Sequence, residues 1–205
     1  MKLRTQILGL GFTGILVSVL IGAVGLVNSK RISNAFDESI TTSLILSKSQ
    51  SADMMHDAIR GDVLLSVLHA QKHYDAGIAE AEKGFAEHAK EFQDNMAEMV
   101  AMPVSDEVKS ELAKTAPLIK AYIDSAADVQ KLARADVSAA EIKMGAFNAA
   151  FKELEGAMEA LSTTIEKDVE SFSRETHARV ERAVWFVAIF LVAGIAALVV
   201  FSGWL

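Results

Sequence analysis

Four polar side chains, Asp53, His56, Asp57 and Arg60, stand at i, i+3, i+4 and i+7. On a helix that spacing stacks them along one face. The chemistry they suit is anion recognition. A guanidinium presents a planar fork of donors that can hold a ligand carboxylate bidentately, and the imidazole and two carboxylates would shape the charge around it. Arg60 is the only arginine between Ile32 and Ala133, so it carries this expectation alone. A plainer use of the same spacing is an intrahelical ion pair of Arg60 with Asp57 or Asp53, contributing roughly 0.2–0.5 kcal/mol.

Other reactive residues lead to less. His69 and His73 lie four apart and could chelate Zn²⁺, but two ligands do not make a site. His88 falls on an apolar stripe and reads as a core histidine. Met96, Met99 and Met102 read as core filler rather than a copper box. The chain has no cysteine, which excludes disulfides, a thiol nucleophile and Fe–S ligation. Neither a strand-turn-helix nucleophile elbow nor a Gly-rich phosphate loop appears. Paired acids such as Glu80 and Glu82 suit solvated faces. The expectation is a protein without catalytic residues, metal or cofactor, and not an enzyme.

The elements that must position Arg60 follow from how apolar residues are distributed. Residues 7–27 and 183–205 carry no charge, and at about 1.5 Å per residue either run can cross a hydrocarbon layer of roughly 30 Å. The first exceeds the roughly 7–15 apolar residues of a secretory signal, so an uncleaved anchor is expected. Gly14, Ser18 and Gly22 line one stripe of it, where another helix could approach closely. Trp185 and Trp204 bracket the second run as an interfacial pair. Every Asp and Glu, 27 in all, lies between the runs, with 18 of the 20 Lys and Arg. That middle segment is acidic, with no field to attract nucleic acid. Lys2 and Arg4 favour a cytoplasmic place for residues 1–6, but Lys30, Arg31, Arg174, Arg179 and Arg182 flank the other side, so charge leaves the orientation open.

Between the runs the periodicity is helical throughout. The expected fold is all-α: an antiparallel up-down-up-down four-helix bundle over 28–182, with helices at about 28–72, 75–102, 106–134 and 138–182. Its first and fourth helices continue into the two transmembrane helices. A turn near His73–Gly77 separates the first pair. Met102-Pro103-Val104-Ser105 breaks the chain again, with Ser105 as N-cap, and Pro117 should kink the third helix. Ser138-Ala139-Ala140-Glu141 reads as a capping box. The apolar stripes are clear on three helices. The second carries Ile78, Ala81, Phe85, His88, Phe92, Met96 and Met99; the third Val108, Leu112, Thr115, Ile119, Tyr122, Ala126 and Val129; the fourth Phe147, Phe151, Leu154, Met158, Leu161 and Ile165. Val169 and Phe172 then slip by one residue, a stutter. Counting back from the apex near Tyr74 puts Arg60 level with residues 88–91, Tyr122 and residues 148–152. Because the outer helices outrun the inner two, Ile32, Phe36 and Ile40 need a second subunit, and a homodimer is expected.

The basic N-terminus, first span, bundle and second span ending in Ser202-Gly203-Trp204-Leu205, with the stretch Met54-Met55-His56-Asp57-Ala58-Ile59-Arg60-Gly61-Asp62-Val63-Leu64, resemble the sensory half of methyl-accepting chemotaxis proteins. The resemblance covers essentially the whole chain. It implies a bundle in the periplasm, anchored in the inner membrane, that binds a small molecule or a solute-loaded binding protein and moves its fourth helix against its first. Aspartate- and serine-sensing members use several first-helix arginines and fourth-helix threonines; only Arg60 corresponds here. The HAMP relay, methylation helices and kinase-control tip have no matching residues, so methylation and kinase control are not carried over. The alternatives are an accessory or structural membrane protein whose bundle binds a protein partner, and the input half of a sensor kinase.

Overall fold

The computed structural model describes the backbone of residues 2–204, and their side chains except at 2–8, 10, 13, 198 and 201–204. The side chains of Lys2, Arg4 and Trp204, on which expectations above fall, lie outside the described residues, as do those of Ser202 and Leu205. Four α-helices are present: α1 (Lys2–Gln71), α2 (Asp75–Ala101), α3 (Asp106–Ala135) and α4 (Val137–Trp204). Among the described residues only 72–74, 102–105 and 136 are not helical, and no strand occurs. The fold is all-α. The chain divides into two compact units, Thr41–Glu170 and the pair of segments Met1–Ile40 with Ser171–Leu205.

The unit Thr41–Glu170 is built on stepping by four and three. On α1, Ile45, Ser49, Ala52, His56, Ile59, Val63, Ser66 and Ala70 are all buried. The α3 stripe, Val108 to Val129, is buried at every position, and so is the α4 stripe, Phe147 to Ile165. These rows and α2 meet in one core. Fully burying a Leu, Phe or Met contributes about 1.5–3 kcal/mol, so the α4 row alone outweighs any single polar contact in the unit. On α2 the pattern is less regular. Ala89 is buried where His88 was expected, and His88 and Phe85 are half-buried. Met96 and Met99 are in the core and Met102 packs against it.

Several buried polar residues inside this unit have partners, whereas Ser66 Oγ and His56 Nε2 have none. Asn95 donates to Ser51 at 2.9 Å and accepts from Lys48 Nζ at 3.1 Å. Thr115 donates to the Glu111 carbonyl one turn back, at 2.8 Å. Gln130 reaches the Ala81 carbonyl of α2 at 3.4 Å. Pro117 has no N–H to donate to Ala113, but both residues are exposed, so water can satisfy that carbonyl and α3 remains one helix through the proline.

The links are short and their chemistry is local. At the end of α1, the His73 amide donates to the Ala70 carbonyl at 3.1 Å and the Tyr74 amide to the His69 carbonyl at 2.9 Å. His73 has φ 55°, the left-handed position glycine usually fills. The ring of His69 meets Tyr74 edge-on at 5.2 Å, supplying the apolar contact of this motif. Gly77 leaves room for it, since a Cβ there would sit 2.5 Å from the Tyr74 ring. Ser105 caps α3 by accepting from the Val108 amide at 3.2 Å. The expected capping box at Ser138 does not form. Asp136 caps α4 instead, its Oδ1 accepting from the Ala139 amide at 3.1 Å, while its own amide closes α3 on Leu132. Glu141 is thereby free to bond Gln71 of α1 at 2.6 Å.

In the other unit, α1 and α4 each contain a stretch long and apolar enough to cross a membrane. Gly194 of α4 receives Val17 of α1, 3.1 Å from where a Cβ would stand. Nothing lies within 4 Å of a Cβ at Gly14 or Gly22, so the small-residue stripe of the first run does not face α4. Trp185 is exposed, as are Ile32, Phe36 and Ile40. Phe172 is half-buried here, and so is Val169 in the Thr41–Glu170 unit.

Candidate functional site

The four residues at 53, 56, 57 and 60 do not share one face. His56 is 2% exposed and belongs to the α1 core row. Its ring stacks on Phe151 of α4 at 4.2 Å and 6°, with Tyr122 of α3 at 4.9 Å and Phe92 of α2 at 6.4 Å. All four helices therefore surround one imidazole. Its Nε2 is enclosed without a hydrogen-bond partner. Burial pushes the His56 pKa down; the nearby charges of Asp57 and Asp53 pull the other way and lose. A neutral ring is what a hydrocarbon box tolerates. His56 thus cannot touch a ligand on the surface, and its expected place beside the arginine is corrected.

Tyr122 closes the box. Its hydroxyl donates to the His56 carbonyl at 2.8 Å, a second bond on a carbonyl oxygen with two lone pairs. Burial, then the charge of Asp57, pushes the tyrosine pKa up, so it stays a donor. Its ring stacks on Phe147 at 5.3 Å.

Arg60 is exposed, with its Cζ 4.3 Å from the centre of the Phe151 ring. Phe151 is thus contacted by an imidazole and a guanidinium one helical turn apart. A cation over a ring at an exposed site contributes about 0.5–1 kcal/mol. Among the described residues no salt bridge joins Arg60 to Asp57 or Asp53, so the intrahelical pair is not formed. Both aspartates are exposed. The structure therefore joins Arg60 and His56 through Phe151, and leaves Asp53 and Asp57 on the surface of α1. Level-counting from the apex anticipated Tyr122 and a residue within 148–152; it did not single out Phe151.

A second polar pair escaped the sequence reading. Asp62 of α1 is 8% exposed and its Oδ2 lies 2.7 Å from His88 Nδ1. A Cβ on Gly84 of α2 would fall 2.7 Å from Asp62 Oδ1, so the carboxylate rests on bare backbone. Burial raises the Asp62 pKa, and the hydrogen bond and charge of His88 oppose the rise. The signal available was a glycine inside a helix, four residues before a histidine. At the apex, His69 meets Tyr74 and His73 fills the left-handed position, so neither histidine is arranged as half of a chelate; among the described residues no three metal-ligating side chains converge.

The structure is thus an all-α unit knit around an aromatic box, on a chain with two helices apolar and long enough to cross a membrane. The chain belongs to the family described as the four helix bundle sensory module for signal transduction, the module of methyl-accepting chemotaxis proteins, which it matches over residues 1–180. Comparison with curated proteins and with solved structures gives no match.

Proposed function

We propose that this sensory module is the input half of a transmembrane chemosensory receptor, anchored by two spans in the inner membrane with its bundle in the periplasm. The observation that carries the reading is that α1 and α4 each run without a break through both a buried row and an apolar stretch. α1 and α2 pair in descending order, Lys48 with Glu98, Ser51 with Glu91 and Asp62 with His88, which supports an antiparallel arrangement of that pair. A ligand that prefers one arrangement of α1 against α4 shifts a two-state equilibrium by its differential affinity.

We assign the ligand contact to Arg60. Its guanidinium rests on Phe151 of α4, so a carboxylate ligand competing for it from the α1 surface, between Asp53 and Asp57, would alter the contact between the two helices. The ligand class is a small organic acid or amino acid, free or carried by a solute-binding protein. The module works as a homodimer, because α1 leaves apolar residues exposed on the side away from its core row.

A thermal-shift screen of the intact chain with amino acids and organic acids tests the binding. The expected result is stabilisation by a carboxylate compound that Arg60→Ala abolishes; a ligand at about 100 times its Kd stabilises by about 2.7 kcal/mol. Glycines inserted between Glu175 and Arg179, in a fusion to a reporter output domain, test the transmission. Binding should persist while output is lost, and undiminished output would sink the coupling through α4.

A further inference from the structure

The two units carry opposite charge. Thr41–Glu170 holds 13 Lys and Arg against 23 Asp and Glu, whereas Met1–Ile40 with Ser171–Leu205 holds seven against four. Three of those seven, Arg31, Arg179 and Arg182, line one groove between α1 and α4, with Ala183 and Phe186 in its wall. Arg179 is paired with Glu175 at 2.9 Å on an exposed surface, a weak tie. The Nε of Arg182 donates to the Ala178 carbonyl at 3.0 Å. Among the described residues neither Arg31 nor Arg182 has a carboxylate partner in a salt bridge. Glu38 also lines the groove and has an interaction of its own.

Arg31 and Phe186 also border a second groove, whose other walls include Val24, Val27 and Phe190. Asn28 lines it too, and its Nδ2 is enclosed without a hydrogen-bond partner. One end of this path offers guanidinium forks and an amide donor, and the rest is hydrocarbon and aromatic. Guanidinium forks match phosphate oxygens, and a free phosphate would leave the apolar walls wet. We propose that this is a binding site for an anionic glycerophospholipid, its phosphate held by Arg31 and Arg182 and an acyl chain lying along Val24, Val27 and Phe190. It rests on the reading that these segments cross a membrane, and it would tie the facing ends of α1 and α4 to the lipid charge of the bilayer.

The test is native mass spectrometry of the intact chain in detergent, titrated with phosphatidylglycerol, phosphatidylcholine or inorganic phosphate. The wild type should retain phosphatidylglycerol in preference to phosphatidylcholine, and inorganic phosphate at millimolar concentration should not displace it. A juxtamembrane arginine contributes about a factor of five, so R31Q/R182Q should bind phosphatidylglycerol about 30-fold more weakly. Phe186→Ala should weaken it with the charge unchanged. Equal retention by wild type and double variant, or displacement by inorganic phosphate, would overturn the lipid site. Carbonate extraction of the same proteins separates the two readings. A chain that stays in the membrane yet shows no phosphatidylglycerol preference refutes the lipid site alone, and a chain released by carbonate refutes both.

Discussion

His56 and Asp62 are both buried on α1, and they respond to pH with opposite sign. The His56 pKa is lowered in the folded protein, so its contribution is complete above the unfolded value of about 6.5 and is lost as pH falls through its folded value. The Asp62 pKa is raised, so its contribution is complete below about 3.9 and is lost as pH rises through its folded value. Between those limits the two partly cancel, and a single melting curve would mislead. His56→Phe keeps the stack on Phe151 and removes one of the two titrations. Melting followed from pH 8 to pH 5 should show the wild type losing stability as pH drops below about 6.5 and the variant changing less; parallel curves would mean that burial does not hold the imidazole neutral. Gly84→Ala acts on the other group. The new methyl would stand 2.7 Å from Asp62 Oδ1, so the carboxylate must shift and its bond to His88 is disturbed. A loss of about 1–3 kcal/mol is expected for a disturbed buried polar group, read from chemical denaturation at pH 7.

The helices show why some features were readable in the amino-acid pattern and others were not. Rows of Leu, Phe, Ile and Val announced the cores of α3 and α4, because apolar side chains at four-three spacing have no other stable use in water. The core of α1 was concealed, since Ser49, His56 and Ser66 occupy its buried positions with polar groups. The spacing of Asp53, His56, Asp57 and Arg60 then looked like a polar face, although stepping from Ile45 through Ala52 and Ile59 passes directly through His56. What made His56 a core residue is the set of rings brought by α2, α3 and α4, which no local pattern records. The caps divide the same way. Ser105 was recognisable from the proline before it and the acids after it. Ser138 satisfied the capping-box pattern equally well, but a one-residue link lets Asp136 end α3 and start α4 together, which depends on how the two helices meet. Ser105→Ala and Asp136→Ala should therefore each cost about 1 kcal/mol by denaturant titration, and Ser138→Ala close to nothing. A larger loss at Ser138 than at Asp136 would contradict the observed cap.

For the whole molecule, what matters is what a single chain leaves uncovered. From Leu44 to Leu68 a second row on α1, Leu44, Met54, Leu65 and Leu68 with Ser47, Ala58 and Gly61 among them, also follows helical spacing, on a face outside the core row. Its large members are 41–65% exposed, and nothing lies within 4 Å of a Cβ at Gly61. A regular row beside a small residue is the pattern a neighbouring helix packs into, whereas scattered exposed apolar residues need no partner. The proposed homodimer uses this row, with α1 of one copy against α1 of the other, so that one substitution acts twice across a two-fold axis. Leu65→Glu combined with Leu68→Glu would bring four carboxylates into that seam, and sedimentation of the intact chain in detergent should report monomers. Ile142, 81% exposed on α4 and off the row, is the control: Ile142→Glu should leave the dimer intact. Helical content should be unchanged in both variants, because none of these residues belongs to the bundle core. Dimers that survive the double substitution, or a wild type that sediments as a monomer, would remove the second subunit from the mechanism and leave signal transmission to α1 and α4 of one chain.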